Sequence, residues 1–112
     1  MSASQRRKGH SWERAVASLM REVFPGENVR RGQQGMGAVE ADVVTPLVWL
    51  ECKVGKVLHY EAALLQAALD SINSGRWPVA VLKKDRARPV VMLYLDDFAE
   101  LLAAHWQEVR PR

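Results

Sequence analysis

Apolar positions recur along this chain with two distinct periods, and the alternation between them outlines the fold. From Ser11 onward, Trp12, Ala15, Val16, Leu19, Met20 and Val23 fall three and four residues apart, the stripe of an amphipathic helix that Pro25-Gly26 stops. Residues 28–31 suit a short strand. Residues 40–44 and 47–53 are apolar, strand-length runs separated by Thr45-Pro46, which predicts an antiparallel hairpin. Helical spacing returns over residues 59–73 and ends before Ser74-Gly75. Here the apolar surface is wide, with Leu64, Ala67 and Ala68 on one side and Leu65, Leu69 and Ile72 beside it. A helix apolar on more than one side needs two packing partners. Residues 78–82 and 90–95 are short apolar strands around the polar connection KKDRAR. A last helix over residues 96–108 lines up Phe98, Leu101, Leu102, His105 and Trp106, with Val109 next in the stripe. The resulting order, α-β-β-β-α-β-β-α, is an α/β fold in which a central mixed sheet is flanked by helices. There is no internal repeat.

Length and composition narrow the possibilities. A chain of 112 residues makes one domain, small enough to gain from a second subunit. Residues 1–10 are polar and basic and are expected to form a flexible arm, with the domain over residues 11–112. No apolar run reaches the length of a membrane span, and the start lacks a signal-peptide core, so a cytoplasmic protein is expected (the host cytoplasm, were the gene a phage's) with no membrane partner. Cys52 is the sole cysteine, which excludes an intramolecular disulfide and any multi-cysteine metal site. The net charge is only +3, but residues 1–31 hold seven basic side chains against three acidic ones. That asymmetry points to a polyanionic partner. Glycines 32, 35 and 37 read as a mobile loop; no helix follows them, so they are not a phosphate-binding motif and no nucleotide cofactor is expected.

The stretch LECKVGK carries the candidate chemistry. Side chains alternate along a strand, so Glu51 and Lys53 share one face while Leu50, Cys52 and Val54 take the other. In isolation this is a solvated ion pair. Asp42, on the preceding strand, changes the picture, because a tight hairpin brings it beside Glu51. Two neighbouring carboxylates repel each other unless a cation lies between them. Oxygen donors suit Mg²⁺, which keeps several waters and accepts phosphate oxygens. Carboxylates, metal and lysine together make a site for phosphodiester hydrolysis. His10, His59 and His105 lack metal-ligand spacing, the four tryptophans read as core or interface, and the Cys52 thiol as core.

An acidic residue, a spacer and then Glu-x-Lys on the next strand resembles the PD-(D/E)xK nucleases. Ala41-Asp42 stands where that signature has Pro-Asp, and Glu51-Cys52-Lys53 supplies its second half. A narrower resemblance, over roughly residues 8–95, is to the archaeal-type Holliday junction resolvases and their phage relatives. KGHSWERAVASLMRE looks like their opening helix, with Lys8-Gly9 and Glu13-Arg14 in place; Arg30, Arg31, the glycines and Asp42-Val43-Val44 follow. The resemblance implies a restriction-endonuclease-like core and a Mg²⁺-dependent endonuclease, with Mn²⁺ able to substitute. It implies that Glu13, Asp42, Glu51 and the backbone carbonyl of Cys52 hold the metal while Lys53 positions the attacking water. Arg6, Arg7, Lys8, Arg14, Arg30, Arg31 and Gln66 become the expected DNA contacts. Branched DNA, a four-way junction, is the implied substrate. Paired cuts in it require two sites and hence a homodimer, with residues 62–72 and the last helix as candidate interface. The chain departs from the pattern in lacking a proline before Asp42 and in carrying Glu40, which shares a face with Asp42 and could compete as a ligand. Other readings are a flap, nick, repair or restriction-like nuclease, a non-catalytic DNA-binding module, or an interaction subunit that binds no DNA. Cleavage assays on different DNAs and a gel shift separate them.

Overall fold

The computed structural model describes residues 2–33 and 39–111. Its elements are α1 (Ala3–Val23), β1 (Arg30–Arg31), β2 (Val43–Val44), β3 (Val48–Gly55), α2 (Tyr60–Asp70), β4 (Trp77–Lys84), β5 (Val90–Met92) and α3 (Leu95–Val109). The order is the one the hydrophobic pattern predicts. The bounds differ most at the start, where the expected flexible arm is instead the opening of α1. Ser2 caps that helix reciprocally with Gln5, side chain to backbone in both directions. Such a box satisfies two amide groups that a helix start otherwise leaves without partners. Gln, Arg and Lys over residues 5–8 are good helix formers, and only Gly9 interrupts them. An ion pair from Lys8 to Asp85 ties the segment to the β4–β5 turn.

The five strands form one sheet in the order β1-β2-β3-β4-β5. β1 with β2, β2 with β3 and β4 with β5 pair antiparallel, whereas β3 and β4 are parallel in register from Val48↔Trp77 to Gly55↔Lys84. A parallel pair needs a long crossover, and α2 supplies it. The β2–β3 turn is held by Thr45, which is 1% exposed; its hydroxyl donates to the Val48 carbonyl and accepts from the Leu47 and Val48 amides.

The helices cover opposite faces of the sheet. Val16 and Ala17 of α1 pack with Val43, Leu50, Cys52, Val79 and Val81. On the other face, Ala63 and Leu64 of α2 meet Ala80 and Leu82, and Ala67 meets Trp49 and Ala41. This core covers only one side of α2, since Leu65 and Leu69 stay more than half exposed, as does Ile72 in the turn that follows. α3 buries no residue, and Phe98, Leu102, Trp106 and Val109 of its stripe face outward. Among the described residues, no helix is long and apolar enough to cross a membrane.

Candidate active-site cleft

A cleft of about 700 Å³ opens between the first half of α1, the bend before β2 and the end of β3. Glu13, Asp42, Glu51 and Lys53 all line it. Glu13 comes from α1, Asp42 from the bend just before β2, and Glu51 and Lys53 from β3.

Asp42 is the most firmly placed. Its amide donates to the Leu50 carbonyl (3.0 Å), its carbonyl accepts from the Gly32 amide (2.9 Å), and its Oδ2 accepts from the Cys52 amide (2.8 Å). Gly32 makes this possible, since a Cβ there would lie 1.8 Å from the Ala41 carbonyl oxygen. Any larger residue would push β1 away from Asp42. Continuing the Val43↔Leu50 register by one residue sets Glu51 of β3 across from Asp42, and both line the cleft, with Lys53 two residues further along on the strand face of Glu51. Lys53 Nζ lies 3.4 Å from Glu51 Oε1, and the lysine is half exposed. Glu13 reaches in from α1, where the Nε and a terminal nitrogen of Arg31 contact its Oε1 at 3.1 and 3.0 Å.

Burial, followed by the charge of Asp42, lifts the Glu51 carboxyl from its ordinary 4.5 to about 6. Asp42 is raised as well, chiefly by burial; the Cys52 amide works against that shift, and the charge of Glu13 adds to it. The Asp42 charge thus makes Glu51 harder to ionise, as an adjacent like charge does. Two half-buried carboxylates with raised affinity for protons fit a hard divalent cation that also takes waters and phosphate oxygens. Among the described residues, no three acidic, histidine or cysteine side chains already converge as a closed metal cage. Glu13 shares the cleft but is held by Arg31 rather than turned onto Asp42 and Glu51. Cys52 behaves as expected: its thiol is buried in the α1-side core and raised far above its ordinary range by burial, so it stays neutral. Its amide points at Asp42, and in an extended strand the carbonyl of the same residue points to that same edge, alongside the residues that precede β2.

The expected DNA contacts divide. Arg6 and Lys8 line the cleft, and Arg31 stands at Glu13. Arg7 and Arg14 are exposed outside the cleft lining. Arg30 alternates away from Arg31 and makes a bidentate pair with Glu40 at 3.0 and 2.6 Å. That pair, with an amide bond from Gln33, holds the Glu40 carboxyl down to about 2 and keeps it out of the cleft, so Glu40 is no rival ligand here. Gln66 is also outside; its Nε2 donates to Asp70 Oδ2 at 2.9 Å, and it shares with Lys53 a separate depression of about 390 Å³. Gly35 and Gly37 lie outside the described residues.

The structure adds residues that pattern reading passed over. His10 lines the cleft one helical turn before Glu13, and the i, i+3 spacing was the available signal. Lys56 and Asp85 line it too, and the charge of Asp70 on α2 raises both Asp42 and Glu51. Nothing in local spacing announces Asp85 or Asp70, because tertiary packing brings them in. No protein-family model matches the chain, and neither a curated protein sequence nor a solved structure is significantly similar to it.

Proposed function

We propose that this protein is a Mg²⁺-dependent endonuclease with a restriction-endonuclease-like core, acting in the cytoplasm on branched DNA as a Holliday junction resolvase. The observation that carries this reading is the meeting of Glu13, Asp42, Glu51 and Lys53 in one cleft whose wall is the basic start of α1. When bound, Mg²⁺ would polarise a phosphoryl oxygen and make a bound water more acidic. Asp42, Glu51 and the Cys52 carbonyl would hold it, with Glu13 joining from α1.

The protein's own groups do the rest. The bonds from Gly32, Leu50 and Cys52 fix Asp42, so the site is organised before substrate arrives. Lys53, flexible and half exposed, offers an ammonium to orient a water against the phosphorus while Glu51 sets its position. Arg6, Lys8 and Lys56 bind the strand through its phosphates, which positions the duplex without reading sequence. Two-fold substrate symmetry asks for two such sites, and the exposed apolar sides of α2 and α3 offer a homodimer interface.

The test compares cleavage of a synthetic four-way junction, a flap, a nicked duplex and an intact duplex, with Mg²⁺ and with chelator. Symmetric paired cuts in the junction alone support a resolvase. Preference for a flap, nick or duplex keeps the chemistry and changes the substrate. Metal-independent binding without cutting, in protein shown to be folded, supports a DNA-binding module instead.

A further inference from the structure

Each proposed metal-ligand side chain already has an internal partner. Arg31 holds Glu13, the Cys52 amide holds Asp42, and Lys53 lies beside Glu51. Ion pairs among the described residues include Lys8–Asp85, Arg30–Glu40, Arg31–Glu13 and Lys53–Glu51. Every cation in that set is one the sequence assigns to DNA or to the attacking water. At the cleft, Lys8, Arg31 and Lys53 are thus each paired with a carboxylate of the chain itself.

The Arg31–Glu13 pair is the one that joins a phosphate-binding group to a metal ligand while leaving Lys53 to the water. Arg31 is one-third exposed and Glu13 one-fifth, so the pair is partly shielded from solvent without being sealed. Both guanidinium contacts fall on a single oxygen of Glu13. A divalent cation arriving at that carboxylate would meet a guanidinium already there, and the two positive charges repel. A phosphate arriving at Arg31 would likewise meet the Glu13 carboxylate. Both conflicts vanish if the two ligands come together. A guanidinium fork matches a phosphate at least as well as a carboxylate, and the released Glu13 then faces the cation.

Resting on the nuclease reading above, we propose that Arg31 is a positioning residue that exchanges partners. In the free protein it holds Glu13; with DNA bound it takes a backbone phosphate and frees Glu13 for the metal. Metal and DNA therefore tighten one another's binding. Thermodynamic linkage makes the effect reciprocal, each ligand changing the other's affinity by the same factor.

Calorimetric titration with Ca²⁺, an oxygen-seeking probe, tests this on protein alone and on protein saturated with a four-way junction, with recovered DNA checked for integrity. In wild type the junction should raise Ca²⁺ affinity on the order of tenfold, a usual size for such coupling, and Ca²⁺ should raise junction affinity equally. Arg31→Gln should bind Ca²⁺ more tightly than wild type when free, bind junction more weakly, and lose most of the coupling. A merely structural arginine would not move those three quantities in those directions. Glu13→Gln is the companion variant: with Arg31 released, its metal-free affinity for junction should rise while coupling again falls. Circular dichroism melts establish that each variant folds. Coupling of wild-type size in either folded variant, or weaker Ca²⁺ binding by free Arg31→Gln, overturns the exchange while an active wild type preserves the nuclease reading. A wild type that binds neither Ca²⁺ nor junction overturns both.

Discussion

The cleft and the outer side of α2 and α3 are opposites in how their side chains are satisfied. In the cleft, Glu13, Asp42, Glu51 and Lys53 have intramolecular partners, and fixed backbone bonds position Asp42. Along α2 and α3, Leu65, Leu69, Ile72, Phe98, Leu102 and Trp106 are large, apolar and open to solvent. The polar half is satisfied within the chain, while the apolar half leaves large side chains open to solvent. A 15-residue helix such as α3, with no buried residue, draws little stability from its own chain, because isolated helices of that length are marginal in water. On the function proposed above, catalysis and assembly would occupy separate regions, and substitutions should separate them too.

The largest effect should come from the cleft. Asp42→Asn or Glu51→Gln should reduce cleavage by roughly a thousandfold or more, the scale at which losing a preorganised charge acts on a rate. Junction binding should persist, because removing a carboxylate also removes repulsion against phosphate. Single-turnover cleavage beside a gel shift checks both halves. Lys53→Ala should slow the chemical step at saturating enzyme while leaving binding nearly intact.

On the apolar side, Leu65→Glu or Leu69→Glu would place an unpaired carboxylate in the proposed interface, at a cost of several kcal/mol there. The expected product is a folded monomer that nicks junctions without resolving them. Leu64, 3% exposed beneath the same helix, gives the contrast: Leu64→Glu should unfold the protein. Sedimentation and circular dichroism on the three variants decide whether α2 has one buried side or two.

A smaller effect concerns pH. Glu51 keeps its proton up to about 6 in the folded protein, against an ordinary 4.5, and Asp42 shifts the same way. The folded state therefore binds more protons than the unfolded chain within that window. Stability contributed by this group is full below about 4.5 and falls as pH rises through about 6, beyond which it levels. Metal binding should follow the reverse course, strengthening as Glu51 ionises. Urea midpoints measured across that range should show the decline in wild type, and a flatter profile in Glu51→Gln.

The smallest effect distinguishes the two groups of basic residues. Each phosphate neutralised contributes about −0.9 to the slope of log affinity against log salt. Removing Arg6 and Lys8 should flatten that slope by up to about two units, whereas removing Arg7 and Arg14, outside the cleft lining, should change it little. Equal effects from the two pairs would show that DNA wraps α1 rather than entering the cleft.

The fold was legible because its signals are local. The helical stripe after Ser11, the Thr45-Pro46 turn and the alternation through Glu51 and Lys53 each report on a few neighbouring residues. The start of α1 was not legible from hydrophobic pattern, because residues 3–9 carry no apolar stripe; a reciprocal cap and the contact with Asp85 hold them instead. The same holds within the site. Asp42, Glu51 and Lys53 could be placed together from the register of one hairpin. That Arg30 turns to Glu40 while Arg31 turns to Glu13 follows from strand alternation, yet the identity of each partner depends on how the chain packs. Gln66 shows the limit most plainly: a polar residue on the helix after the Glu-x-Lys strand is satisfied by Asp70 one turn away, and not by the cleft.

If this cleft hydrolyses phosphodiesters in branched DNA, as proposed, one assay should show it. Incubating the purified wild-type protein with an end-labelled four-way junction, with Mg²⁺ and with chelator, tests it most directly. Symmetric paired incisions that require the metal and vanish in Asp42→Asn are the expected result. A folded protein that leaves every junction strand intact at all Mg²⁺ concentrations, or one that cuts equally well without Asp42, would contradict it.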